Sequence, residues 1–139
     1  MIEISCLLNI YLKAKRSPKK VFFGPFDVKL SDRPLIIVKP DIMIISDVHK
    51  LGKTRCNGAP DCIIEIVSPN SVIDDYIKKF YYYKKYKVCE YWIVDYERKV
   101  ITVNYFDGNL LNMQYNFYSK IKVNILSDLY IDFSKIITG

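Results

Sequence analysis

Histidine is almost absent from this chain. Its 139 residues include one, His49, and none of the four cysteines, Cys6, Cys56, Cys62 and Cys89, forms a CxxC pair. A zinc site needs several closely spaced Cys or His donors, so this pattern argues against zinc chemistry. Cys62 and Cys89 sit among apolar residues and read as small core side chains. Long apolar runs are missing too: none reaches the roughly 18 residues that span a bilayer. Ile2 to Leu12 is apolar in character, but Glu3, Ser5 and Asn9 interrupt it. No basic stretch precedes it and no small-residue cleavage site follows, so it reads as an amphipathic helix of a cytoplasmic protein, not as a signal peptide. No internal repeat, low-complexity tract or linker divides the chain, and residues 1–139 are expected to form one domain with no membrane association.

What the chain does contain is apolar residues, 50% of the total, with 26% charged, a balance that disfavours disorder. The formal net charge is +6. The positive charge is clustered at Lys13, Lys15, Arg16, Lys19 and Lys20, and again at Lys78, Lys79, Lys84, Lys85 and Lys87. Such clusters suit a polyanion such as DNA, and equally a solvated basic face.

Apolar periodicity gives the elements. Ile4, Leu7, Leu8 and Tyr11 have helical spacing, stopped by Ser17-Pro18. Val21 to Leu30 reads as extended, Ser31 to Pro34 as a turn and Leu35 to Ser46 as one apolar strand entered around Pro40-Asp41. Asp47 to Pro60 is polar and reads as a loop. Asp61 to Val67 is the most strand-like piece. Ser68 to Ser71 forms a turn and helix cap, and Asp74 to Tyr86 a helix. Glu90 to Asp95, Lys99 to Phe106 and Leu110 to Phe117 are strands joined by tight turns. Ile121 to Leu126 and Leu129 to Ile137 follow, the latter as a short terminal helix. The sum is an α/β chain with a mixed central sheet.

One feature of this pattern is chemically costly. Glu65 interrupts an apolar strand, and a buried charge must be paired or hold a metal. Side chains alternate along a strand, so Asp61, Ile63, Glu65 and Val67 share a face. Asp61 lies about 13 Å from Glu65 along the strand, too far to share an ion with it. Asp41, at the start of another strand, is the better partner. On the helix, Asp75 and Lys79 are at i, i+4 and can pair, or Lys79 can reach back to Glu65. Asp41 and Glu65 could hold Mg2+ or Mn2+ to activate water against a phosphodiester, with Lys79 steadying the phosphate. The plainer alternative is that Asp41 caps a turn and Glu65 pairs with Lys79 or Lys39. Tyr81, Tyr82, Tyr83 and Tyr86 spread around the helix, where core packing is the stronger expectation and base stacking the weaker. Tyr91 and Trp92 fall on opposite strand faces, Asp95 is expected to support the turn after it, and His49 reads as an exposed loop residue.

These residues, taken in order, resemble the Uma family of restriction-endonuclease-like proteins in the PD-(D/E)XK nuclease superfamily. The resemblance is carried by Pro40-Asp41, Gly58-Ala59-Pro60-Asp61, Glu65-Ile66-Val67-Ser68-Pro69, then Asp75, Lys79 and Tyr83, and Glu90-Tyr91-Trp92-Ile93-Val94-Asp95. Phe23 to Val28 and Leu129 to Asp132 are weaker echoes. It implies a restriction-endonuclease-like mixed β-sheet flanked by helices, with the site at one sheet edge. It further implies catalytic roles for Asp41, Glu65, Lys79 and Asp75, a metal held by Asp41 and Glu65, and DNA as substrate. The superfamily's lysine two residues after the acid is replaced by Val67, and Lys79 matches a lysine relocated to the helix. Lys87 and Cys89 stand where the family has glycine and proline. Family members also carry a preceding segment with a Tyr-Glu-Leu-Ile-Asp-Gly-like motif that has no counterpart here. Lack of that strand would expose a sheet edge or apolar surface and favour oligomerisation, for instance as a homodimer, or poor stability. Two functions are therefore expected in competition: a magnesium- or manganese-dependent endonuclease, favoured by the intact acids and lysine, or an inactive shortened homologue acting as a binding or oligomerisation module.

Overall fold

The structure, a computed structural model, describes residues 2–24, 26–68 and 73–136, with side chains of the last segment from residue 76 onward. Helix α1, Ile2–Ala14, buries Ile4, Leu8 and Leu12, one residue per turn on a single stripe. Each such burial contributes about 1.5–3 kcal/mol. The helix ends in a Schellman arrangement: Arg16 is left-handed (φ 50°), and Ser17 N–H donates to the Leu12 carbonyl at 2.9 Å. Helix α2, Ile73–Lys85, closes in the same way, with Lys87 at φ 72° and Val88 N–H donating to Tyr83 at 2.9 Å. Lys87 therefore holds a backbone conformation that glycine adopts without steric cost.

The strands are β1 (Lys20–Phe23), β2 (Asp27–Asp32), β3 (Leu35–Val38), β4 (Ile42–Ile45), β5 (Arg55–Asn57), β6 (Cys62–Val67), β7 (Glu90–Asp95), β8 (Val100–Tyr105), β9 (Leu110–Asn116), β10 (Lys120–Lys122) and β11 (Tyr130–Asp132). Six of them form the main sheet in the order β1-β4-β6-β7-β8-β9. Only β6 and β7 run parallel; the other neighbours are antiparallel. A parallel pair needs a crossover, and α2 supplies it. A small sheet β3-β2-β5 and a ribbon β10-β11 complete the fold.

Alternation along the strands divides the interior in two. On one face Ile42, Ile44, Cys62, Ile64, Trp92 and Val94 pack with α1 and with Phe117, Ile131 and Phe133 from the C-terminal part. On the other, Met43, Ile45, Ile63 and Tyr91 pack with Tyr83 of α2 and with Val28 and Cys56 of the small sheet. Tyr91 and Trp92 are thus both core, on opposite faces. Among the described residues no helix is long and apolar enough to cross a membrane.

Four expectations change. The apolar stretch from Leu35 to Ser46 is two strands in two sheets: the chain leaves the small sheet at Val38 and joins the main one at Ile42. Pro40, which has no N–H for a ladder, lies at the break. Val21 to Leu30 is likewise split between the two sheets. The polar stretch from Asp47 to Pro60 contains a 3₁₀ turn, Val48–Lys50, and β5. In place of a terminal helix there is β11 followed by a single 3₁₀ turn, Phe133–Lys135; residue 137 lies outside the described residues. So do residues 69–71 of the turn and cap expected before α2.

Candidate active site

β4 and β6 are antiparallel with Ile42 opposite Ile64, so Asp41 falls opposite Glu65 one step beyond the last ladder pair. Directly opposed residues bring their Cβ atoms to about 4.5–5.5 Å. The two acids expected to act together therefore meet at the ends of interior strands, the second and third of the main sheet. Asp41 is held from both sides. Its Oδ2 accepts from Ile66 N at 2.7 Å, and its carbonyl accepts from Gly24 N at 2.7 Å. A side chain at Gly24 would place a Cβ 2.7 Å from the Pro40 carbonyl oxygen, so the close approach that fixes Asp41 requires glycine.

Glu65 points to the α2 face and is 3% exposed. Its Oε1 accepts from Lys79 Nζ at 3.0 Å and its Oε2 from the Tyr91 hydroxyl at 3.0 Å. Burial pushes its pKa above the usual carboxylate range; Lys79 and Tyr91 oppose that shift and Asp41 adds to it. Lys79, not Lys78, turns inward: Lys78 is exposed, while the Lys79 ammonium crosses from the helix to the strand. Val67, two residues after Glu65 and half-buried, brings no charge to the acid; the ammonium beside it is that of Lys79. The Lys79 Nζ also lies 5.5 Å from the Tyr76 ring centre. Asp75 is the third residue of α2, and its side chain lies outside the described residues.

Sequence reasoning gave Tyr91 no role at the acid. In the structure it is the second partner of Glu65, and burial together with that carboxylate raises its phenol pKa. Its parity on β7 placed it on one face, but only the β6–β7 register, Ile63 opposite Tyr91, brings it to Glu65. Tyr83 packs edge-on against Tyr91 with ring centres 4.7 Å apart. Its hydroxyl is fully buried without a hydrogen-bond partner, and its pKa is raised by burial and by Glu65.

The remaining candidates separate from this cluster. Asp61 precedes β6, and its backbone joins three strands: its N–H donates to Ile44, and its carbonyl accepts from Cys89 and Glu90. Lys39 lies 3.8 Å from Asp27, not beside Glu65. Asp95 accepts from Arg98 N at 2.9 Å and so supports its turn. His49 is exposed. Tyr83 is core, whereas Tyr81 is 58% exposed. Lys13, Arg16, Lys19 and Lys20 border a groove of about 580 Å³ between α1 and β1, away from the acids.

A divalent metal can be tested against these donors. Among the described residues no group of three Asp, Glu, His or Cys side chains converges on one point. Mg2+, however, commonly binds through one or two carboxylates, completing its shell with water and substrate phosphate. A carboxylate offers about four acceptor positions, and Glu65 uses two of them. With Asp41 opposite, the two carboxylates fit a hard cation of this kind.

The family model described as "Uma2: Putative restriction endonuclease" matches residues 2–132. A solved structure from Anabaena variabilis, described as that of "a putative nuclease", superposes with a TM-score of 0.76 over 96% of this chain and 75% of its own, at 18% identity. That likeness bears out the mixed α/β sheet architecture. No curated protein matches the chain.

Proposed function

The chain belongs to the Uma2 family of restriction-endonuclease relatives, and on that premise we propose that it is a metal-dependent nuclease that hydrolyses phosphodiester bonds in DNA. The observation that carries this reading is Glu65: a buried carboxylate, opposite Asp41 and bonded to Lys79, with half of its acceptor positions unused. Asp41 and Glu65 would hold Mg2+ or Mn2+, which when bound neutralises phosphate charge and acidifies a water ligand. Tyr91 fixes the Glu65 rotamer by donating to Oε2. Lys79 is the mobile member: its side chain is 32% exposed, so its ammonium can turn from Glu65 to a phosphoryl oxygen or an attacking water. Asp75, four residues earlier on α2, would orient Lys79.

The test is cleavage of supercoiled plasmid DNA with Mg2+ or Mn2+ against a chelator control. Wild type nicks or linearises the plasmid, and Glu65→Ala, Asp41→Asn and Lys79→Ala each slow this by about a hundredfold or more. Equal cleavage by wild type and Glu65→Ala would remove these residues from catalysis. A folded wild type that binds DNA and leaves it intact with either metal would replace the enzyme by a binding module.

A further inference from the structure

A cleft of about 480 Å³ opens between α2 and the main sheet, and its lining includes Ile93, which is opposite Glu65 in register, and Tyr76, whose ring lies against Lys79. Its floor is set by register. Glu65 is opposite Ile93, Ile93 opposite Thr102, and Thr102 opposite Gln114. One straight row on the α2 face therefore runs from the acid across β7 and β8 to the outer strand β9, about 14 Å at the usual strand spacing. Tyr76 and Phe80 of α2 line the opposite side. Of these, Tyr76 has the Lys79 ammonium 5.5 Å from its ring centre.

The lining has a definite chemistry. Aromatic and apolar surface comes from Tyr76, Phe80 and Ile93, and hydrogen-bonding groups come from Thr102, Gln114 and Asn112. Asn112 is built into place: it is left-handed (φ 53°), and its N–H donates at 2.7 Å to Asn104 Oδ1, an amide buried in the irregular register of β8. Irregular strand geometry of this kind commonly re-aims a side chain beside a site. Asp95 and Arg98 form the one charged pair in the described lining, 4.0 Å apart, with the Arg98 side chain 76% exposed and so turned largely to solvent. The Lys79 ammonium lies beside Tyr76, outside the lining. The rest of the lining carries no charge and suits a flat group edged with donors and acceptors. The volume lies within the range of small-molecule pockets and is too confined for a duplex, whose major groove alone is about 12 Å wide.

We propose that this cleft receives an unpaired nucleobase adjoining the phosphate held at Lys79, so that the protein acts on single-stranded or locally opened nucleic acid. The phosphate end of this assignment rests on the nuclease reading above. The base end rests on the cleft: stacking against Tyr76 and Phe80 is indifferent to sequence, while the Gln114 and Asn112 amides can read a base edge.

Binding without catalysis isolates the cleft. Fluorescein-labelled oligodeoxynucleotides, single-stranded and as the matching duplex, are titrated in chelator and followed by anisotropy. Wild type binds the single strand at least about tenfold tighter than the duplex, and Tyr76→Ala weakens the single-strand complex about tenfold without altering the duplex complex. Gln114→Ala, an exposed position on an outer strand, preserves the fold and reduces differences in affinity among oligo-dA, oligo-dC and oligo-dT. Equal affinity for the two forms, or variants indistinguishable from wild type, overturns the proposal. Metal-dependent cleavage of duplex DNA that is indifferent to both variants sinks the cleft and leaves the nuclease standing. Single-strand binding that depends on Gln114, with no cleavage in Mg2+ or Mn2+, does the reverse.

Discussion

Two glutamates are buried in the main sheet, on adjacent parallel strands and opposite faces, and they are solvated in different ways. Glu90 is fully buried. Its Oε2 accepts from Trp92 Nε1 at 2.8 Å, Asn124 N at 3.0 Å and Asn124 Nδ2 at 2.9 Å, and its Oε1 accepts from Ile125 N at 3.0 Å. All of its donors are neutral, and two are backbone amides. Glu65 has two partners, one of them an ammonium on a flexible stem. Glu90 accepts four hydrogen bonds, three of them at Oε2, and staples residues 124–125 to the sheet. Glu65 keeps acceptor positions open and faces a second acid. Burial of an acid alone does not mark a site; what separates these two is how completely, and by how rigid a set of donors, each carboxylate is satisfied.

The largest expected effect breaks the staple. Glu90→Ala orphans four donors, and urea unfolding should show a loss of about 3–5 kcal/mol. Should it cost less than 1 kcal/mol, the contrast with Glu65 fails. Tyr91→Phe is expected to lose roughly 1.5–3 kcal/mol, the range for a hydrogen bond to a charged group, and to slow cleavage by freeing the Glu65 rotamer. The two readouts together, stability and DNA cleavage, separate it from Glu90→Ala, whose damage is structural.

Glu65→Gln should move stability the other way. The native state holds the Glu65 proton more tightly than the unfolded chain does, because burial raises its pKa from the ordinary value of 4.5. Wild-type stability therefore declines as pH rises from about 4.5 through the raised value, a decline that the uncharged amide removes. Above that window the variant should be more stable by about 1 kcal/mol while cleavage is lost, a trade found where active sites carry strain. Thermal unfolding of both proteins across the acid-to-neutral range checks the sign, and a parallel pH dependence in the two would contradict it. The smallest effect lies outside both acids. Lys87→Gly relieves a left-handed lysine, and a gain of about 0.5–1 kcal/mol with unchanged cleavage is expected, making it a control for stability without function.

The candidate site was partly legible in the sequence. A lone acid in an apolar strand announced Glu65, and spacing together with the family resemblance pointed to Asp41 and Lys79. Tyr91 and Glu90 were not assigned their bonding roles, because a hydroxyl or carboxylate on a strand shows its face by parity but not its neighbours. Those depend on the offset between strands, which sequence alternation leaves open. The same blindness merged Leu35 to Ser46 into one strand: apolar spacing is similar in two consecutive strands, and only the placement of a second sheet divides them.

The sequence by itself determined the two helices, the strands β6 to β9 with their faces, and the motifs that carry the family resemblance, because these follow from local periodicity and residue types. Tertiary structure decided which acids meet. Register puts Asp41 opposite Glu65, the βαβ crossover brings Lys79 over the sheet, and the row that continues from Glu65 through Ile93 and Thr102 to Gln114 supplies the floor of a cleft at those last three residues. Sequence distance carries no information on any of these, since each is fixed by hydrogen bonding and packing between segments far apart in the chain.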